Sequence, residues 1–93
     1  MYAGSYMVFT LSEMMQDTKK IPLTTICARL ERALHADVGM KGLNILLFGY
    51  GQKYGINLNA LFYQREKREG YAYLTPRELQ IFSNYAGVNL SVD

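Results

Sequence analysis

Cysteine, histidine, proline and tryptophan are scarce in this sequence of 93 residues, which has one Cys, one His, two Pro and no Trp. A single Cys27 excludes an internal disulfide framework and a cysteine-rich zinc site, and it fits a reducing compartment. His35 lacks the partners that a catalytic triad or a histidine metal site needs, and the acidic residues do not cluster. We therefore expect no enzyme, no metal site and no cofactor.

The net charge of the sequence is also small, and its apolar runs are short. Ten Lys and Arg residues oppose eight Asp and Glu residues, which leaves +2 and excludes a polybasic or acidic tail. The longest apolar run, Ile45–Phe48, is far shorter than the roughly 20 residues of a membrane-spanning helix. The range 1–5 lacks the basic start of a secretory signal. We expect a cytoplasmic protein that does not contact a membrane.

The composition is that of one folded domain, because 49% of the residues are hydrophobic and only 19% are charged. We assign residues 10–93 to a single helical domain. Residues 1–9 are expected to be an N-terminal extension, either flexible or paired with another copy.

Five short helices are predicted from apolar spacing and from start and stop signals. The first begins at Thr10, which forms a capping-box pattern with Glu13. The others follow from apolar residues at three- and four-residue steps and from the glycines that end them. They cover 22–34, 43–54, 58–69 with Asn57 or Asn59 as its cap, and 76–86 with a second capping box between Thr75 and Glu78.

The segment Leu43–Phe48 is ambiguous. It fits one stripe of a helix that ends before Gly55, but Gly49 and Gly51 disfavour a helix, and so short an apolar run also fits a buried strand. The predicted fold is therefore an all-α, compact bundle of about five helices, with an α+β fold containing a strand at 43–48 as the alternative. The range 71–74 is expected to be a connector, extended in part.

The stretch from Gln52 to Val92 resembles the second half of small helix-turn-helix repressors of the Cro and phage-repressor type. Gln52-Lys-Tyr-Gly-Ile-Asn57 would be the turn, and Gly87-Val-Asn-Leu-Ser91 would be the ending of the domain. The resemblance implies a DNA-binding transcriptional regulator that forms a dimer and whose recognition helix covers 57–69.

Polar side chains at the start of a recognition helix read base edges, and nearby cations contact phosphates. The candidates for base contacts are Asn57, Asn59, Tyr63 and Gln64. The candidates for phosphate contacts, which this hypothesis places on one face, are Lys53, Arg65, Lys67, Arg68 and Arg77. From Lys41 to Val88 there are six basic and three acidic residues, so this region carries +3.

A protein-interaction or assembly module without a nucleic-acid partner is the alternative function. Eight tyrosines and five methionines favour it, since Tyr is enriched at interfaces and Met suits adaptable apolar surfaces. This hypothesis predicts a contiguous exposed apolar patch and exposed side chains at Tyr71 and Tyr73.

Overall fold

The computed structural model describes residues 19–90. In this part of the chain four helices and two short strands follow one another. Their order is β1 (Ile21–Pro22), α1 (Leu23–Leu34), α2 (Gly39–Tyr54), α3 (Leu58–Glu69), β2 (Tyr73–Leu74) and α4 (Pro76–Ala86). The helix predicted from Thr10 and the extension at 1–9 lie outside the described residues.

The two strands pair in an antiparallel manner, with Ile21 opposite Leu74 and Pro22 opposite Tyr73. This small sheet corrects the all-α prediction, although the described chain is mainly helical. β2 is the extended part of the predicted 71–74 connector. Tyr73 is buried on it, contrary to the prediction of exposure, whereas Tyr71 is exposed.

The hydrophobic core lies where α1, α2 and α4 meet, and it is closed by β2 and by the segment after α4. The ring of Tyr50 packs edge-on against Phe82, with ring centroids 5.4 Å apart. The largest side chains that are almost completely excluded from solvent are those of Tyr50, Phe82, Ile26, Leu30, Leu43, Leu74, Leu79 and Leu90. Apart from Leu74 and Leu90, these residues lie on the apolar stripes of the predicted helices, whereas Leu34 and Tyr54, which belong to the same stripes, are exposed.

α2 begins earlier than its apolar pattern indicates. The Glu31 carboxylate, near the end of α1, accepts hydrogen bonds from the backbone N–H groups of Val38 (3.0 Å) and Gly39 (2.8 Å). These are two of the donors that a helix start leaves without an intrahelical partner, so Glu31 substitutes for a local cap. The helix therefore starts at Gly39 rather than at Leu43.

Residues 43–48 lie within α2, so the helical interpretation is confirmed and the alternative strand is wrong. The remaining helix ends follow their local signals. Asn57 caps α3, Gly70 ends it with a left-handed backbone, and the capping box of Thr75 and Glu78 opens α4. The predicted boundaries of α3 and α4 are confirmed.

Candidate nucleic-acid interface

A three-residue turn joins α2 to α3. Gly55 has the left-handed backbone angles φ 67° and ψ 35°, which cost little for glycine and strain other residues. The N–H groups of Gly55 and Ile56 both donate to the carbonyl of Gly51. Asn57 then opens α3, because its Oδ1 accepts a hydrogen bond from the Ala60 N–H at 3.2 Å.

Glycine is required at position 51 because the turn after α2 passes close to its Cα atom. A Cβ atom added at Gly51 would lie 2.8 Å from the carbonyl oxygen of Ile56 and 3.3 Å from a methyl group of Leu58. The glycine that disfavours a helix by propensity is therefore the residue that lets α3 approach α2. A short turn between two packed helices is the general form of a helix-turn-helix unit.

α3 is buried on one side and exposed on the other. Leu58 is buried, and Leu61 and Phe62 pack against the core. The exposed positions of α3 include most of the residues assigned to DNA contact: Asn59, Tyr63, Gln64, Lys67 and Arg68. Tyr63 is 62% exposed, and the Lys67 Nζ lies 5.6 Å from the centroid of its ring. The outward surface of α3 thus combines amides, a phenol and cations.

Arg65 differs from the other candidates on α3, because its side chain is only 12% exposed. Its two terminal nitrogens donate to the two carboxylate oxygens of Glu78, at 2.7 and 2.8 Å. Nη1 also donates to the Tyr73 carbonyl at 2.8 Å, and the guanidinium carbon lies 4.5 Å from the centroid of the Tyr73 ring. Arg65 holds α3 against β2 and α4, so the expectation that it contacts a phosphate is corrected.

Glu78 is shared between this ion pair and the start of α4. Its Oε1 accepts from the Thr75 N–H at 2.9 Å, while the Thr75 hydroxyl accepts from the Glu78 N–H. Burial raises the pKa of the Glu78 carboxyl, but the hydrogen bonds from Arg65 and Thr75 outweigh this effect and lower the pKa from its ordinary value. The hydrogen bond to Glu78 raises the pKa of Arg65, so both groups are charged at neutral pH.

The other two basic candidates lie on different elements from α3. Lys53 is in the last turn of α2, with its Nζ 5.9 Å from the centroid of the Tyr54 ring. Asn44 lines the groove between α2 and α3 that is described below. Lys53 follows Asn44 by nine residues, about two and a half helical turns, so Lys53 lies on the opposite side of α2 from Asn44. Arg77 is exposed in the first turn of α4. The cations that remain exposed on α3 itself are Lys67 and Arg68.

A groove of about 590 Å³ lies between α2 and α3 beside the turn. Apolar side chains of Leu47, Phe48 and Phe62 line it. Its polar lining consists of four amide side chains and no charged one: Asn44, Gln52, Asn57 and Asn59. Sequence reasoning missed this groove, although the run Ile45–Phe48 is more apolar than a helix with a single buried face requires.

Cys27 and His35 form no reactive pair in this structure. Cys27 is buried in the core, and burial raises the pKa of its thiol, which disfavours the reactive thiolate. His35 is exposed and ends α1 with a left-handed backbone. Among residues 19–90, no group of three His, Cys, Asp or Glu side chains is arranged to hold a metal ion.

Comparisons with known proteins give no relative for this chain: no family model, no curated protein and no solved structure matches it. Within the part of the chain that the structure describes, none of the helices has the length and apolar character needed to cross a bilayer.

Proposed function

We propose that this protein is a small DNA-binding protein of the helix-turn-helix type, a transcriptional regulator that contacts duplex DNA through the exposed side of α3. The observation that carries the proposal is the division of α3. One side packs on α2 and the core behind a tight turn, while the other presents Asn59, Tyr63, Gln64 and two cations to solvent.

The exposed side chains have the chemistry that this role requires. Asn and Gln amides form paired hydrogen bonds with the edge of adenine in the major groove, which suits Asn59 and Gln64. The Oδ1 of Asn57 is engaged by the Ala60 N–H, so this residue offers its amide nitrogen as a donor. Lys67 and Arg68, with Lys53 and Arg77 on the flanking helices, supply phosphate contacts.

Arg65 contributes to this function indirectly. Its hydrogen bonds with Glu78 and Tyr73 fix the second half of α3 to β2 and α4. A helix that must match a groove needs a fixed position in the domain, and Arg65 provides it by acting as a positioning residue.

The proposal is tested by the salt dependence of binding. Fluorescence anisotropy with a random duplex of about 30 base pairs should give affinity that falls linearly in a log–log plot against salt. If Lys53, Lys67, Arg68 and Arg77 each neutralise one phosphate, the slope is about −3.6 per protein chain, because each contact contributes about −0.9.

Lys67→Ala should make this slope less steep by about 0.9, since one phosphate contact is lost. Arg32→Ala, which removes the same charge from the exposed last turn of α1, is the matched control and should leave the slope unchanged. No binding at low salt, or equal slopes for the two variants, would contradict the proposal.

A protein-interaction or assembly role is the second candidate. The exposed apolar side chains of Ile45 and Phe48, which adjoin the groove between α2 and α3, favour it. Partner binding through this surface would be lost in Phe48→Glu and retained in Lys67→Ala, the reverse of the pattern expected for DNA.

A further inference from the structure

α2 carries large apolar side chains on two opposite sides. The first group, with steps of four, three and four residues, is Leu43, Leu47, Tyr50 and Tyr54, and its first three members are buried in the core. The same steps recur on the outer side of the helix at Lys41, Ile45, Phe48 and Gln52, which we call the outer stripe. Alternating steps of four and three residues are those of the contact line between two helices packed as a coiled coil.

The centre of the outer stripe is the most exposed large apolar surface among the described residues. Ile45 is 66% exposed and Phe48 is 68% exposed, and the two side chains are neighbours three residues apart on the helix. Neither is needed to fill the core. Two adjacent apolar side chains of this size form a contiguous exposed patch, and contiguous exposed apolar patches mark sites of interaction.

The small number of charged side chains on and beside the outer stripe indicates what kind of partner can bind it. Lys41 is the one charged residue of the outer stripe, at its N-terminal end, and the adjoining groove is lined by amides without a charged side chain. An acidic or a basic partner therefore finds little to pair with. A neutral, apolar surface fits better, and this chain itself offers one.

We propose that the outer stripe binds the same stripe of a second copy of this chain, with the two α2 helices antiparallel. In this arrangement Ile45 packs on the partner's Phe48, and Phe48 packs on the partner's Ile45. Each contact occurs twice, as in any interface with two-fold symmetry. The same register places Lys41 beside the partner's Gln52.

The position of Lys41 favours the antiparallel arrangement over a parallel one. A parallel pair would place the two Lys41 ammonium groups side by side, where they repel. The antiparallel pair separates them and brings each one to the C-terminal end of the partner's α2. That end carries the partial negative charge of the helix dipole, so a cation is stabilised there.

This inference is independent of the proposed DNA contact. None of the four outer-stripe positions is among the side chains assigned to DNA, and the test uses the free protein. The two proposals can therefore fail separately.

The first test is sedimentation of the full chain from about 1 μM to about 1 mM, which covers weak to moderate dimer affinities. The wild type should show a concentration-dependent dimer. Phe48→Glu should weaken it about 30-fold or more, the effect of a residue at the centre of an interface. Ile81→Glu, at an exposed apolar position in the middle of α4, is the matched control and should dimerise like the wild type.

A wild type that remains monomeric throughout this range would overturn the proposal, and so would a Phe48→Glu variant with unchanged dimer affinity. Thermal unfolding should show that Phe48→Glu is folded, because Phe48 contributes an exposed side chain.

The second test addresses the register. Ile45→Glu and Phe48→Lys should each be monomeric alone, and an equimolar mixture should recover a heterodimer. In the antiparallel register the two new charges meet as an ion pair, and the remaining Ile45 and Phe48 still pack on each other. A mixture that stays monomeric would overturn the antiparallel pairing.

Discussion

Glu78→Gln is the substitution that tests most directly how α3 is held in place. Glu78 is 27% exposed, and it pairs with Arg65 through two hydrogen bonds while it accepts the Thr75 N–H. An amide keeps the size of the side chain and one acceptor oxygen. It removes the negative charge and turns one of the oxygens that face Arg65 into a donor.

The expected loss of stability follows from the position of Arg65. A hydrogen bond between charged groups contributes about 1.5–3 kcal/mol, and removal of one partner of a fully buried ion pair costs about 3–5 kcal/mol. Because Glu78 keeps contact with solvent, we expect Glu78→Gln to lower the free energy of unfolding by about 2–3 kcal/mol. At about 4–8 °C per kcal/mol for a domain of this size, Tm falls by about 8–24 °C.

Urea denaturation followed by circular dichroism measures this loss. The control is Glu66→Gln, which removes the same charge from the exposed position next to Arg65 and should change stability by less than about 0.5 kcal/mol. The double variant Arg65→Met/Glu78→Gln should lose less than the sum of the single losses, because it leaves no unpaired buried charge. Equal stability of the Glu78→Gln and Glu66→Gln variants would refute this role of the ion pair.

Three further predictions concern the turn, acid stability and the end of the described chain. Gly51→Ala should destabilise the domain by about 1–3 kcal/mol, measured by urea denaturation, because the new methyl group overlaps the Ile56 carbonyl. The lowered pKa of Glu78 stabilises the fold above the ordinary glutamate pKa of about 4.3, and this contribution disappears as the pH falls through the lower folded value. The Tm difference between wild type and Glu78→Gln should therefore shrink below about pH 4. Leu90→Ala should cost about 2–5 kcal/mol in the same denaturation assay, because Leu90 is fully buried.

The sequence predicts those elements whose signals are local. Thr75 and Glu78 lie three residues apart and cap α4 as their spacing indicates. Gly55, Gly70 and Gly87 end α2, α3 and α4 with left-handed backbones, as glycines after an apolar pattern should. Each of these features depends on residues within one helical turn, so the pattern alone contains the information.

The sequence does not predict features that depend on a contact with a residue far away along the chain. α2 starts at Gly39 because Glu31 of the previous helix caps it, which no signal near Gly39 indicates. Arg65 belongs to a run of charged residues that is typical of a solvated surface, and only its contact with Glu78, 13 residues later, makes it an internal residue. Gly51 is unfavourable in a helix by propensity, and the need for glycine at this position arises only from the close approach of the Ile56 carbonyl.

The candidate site was predicted in part for the same reason. The exposed positions of α3, such as Asn59 and Tyr63, follow from helical periodicity once Leu58 and Leu61 are placed inside. The groove beside Phe48 arises from two helices that meet at an angle set by the turn, so a one-dimensional pattern does not contain it.

The pairing of β1 with β2 has a consequence for synthesis on the ribosome. Ile21 pairs with Leu74, which is added 53 residues later. At about 5–20 residues per second, roughly 3–10 s pass before the partner strand exists. During this interval α1 has its apolar stripe, with Ile26 and Leu30, but neither β2 nor α4 to cover it. The nascent chain therefore leaves part of this stripe uncovered until β2 and α4 have been synthesised, and a chaperone that binds apolar helices would reach the stripe before these two elements do.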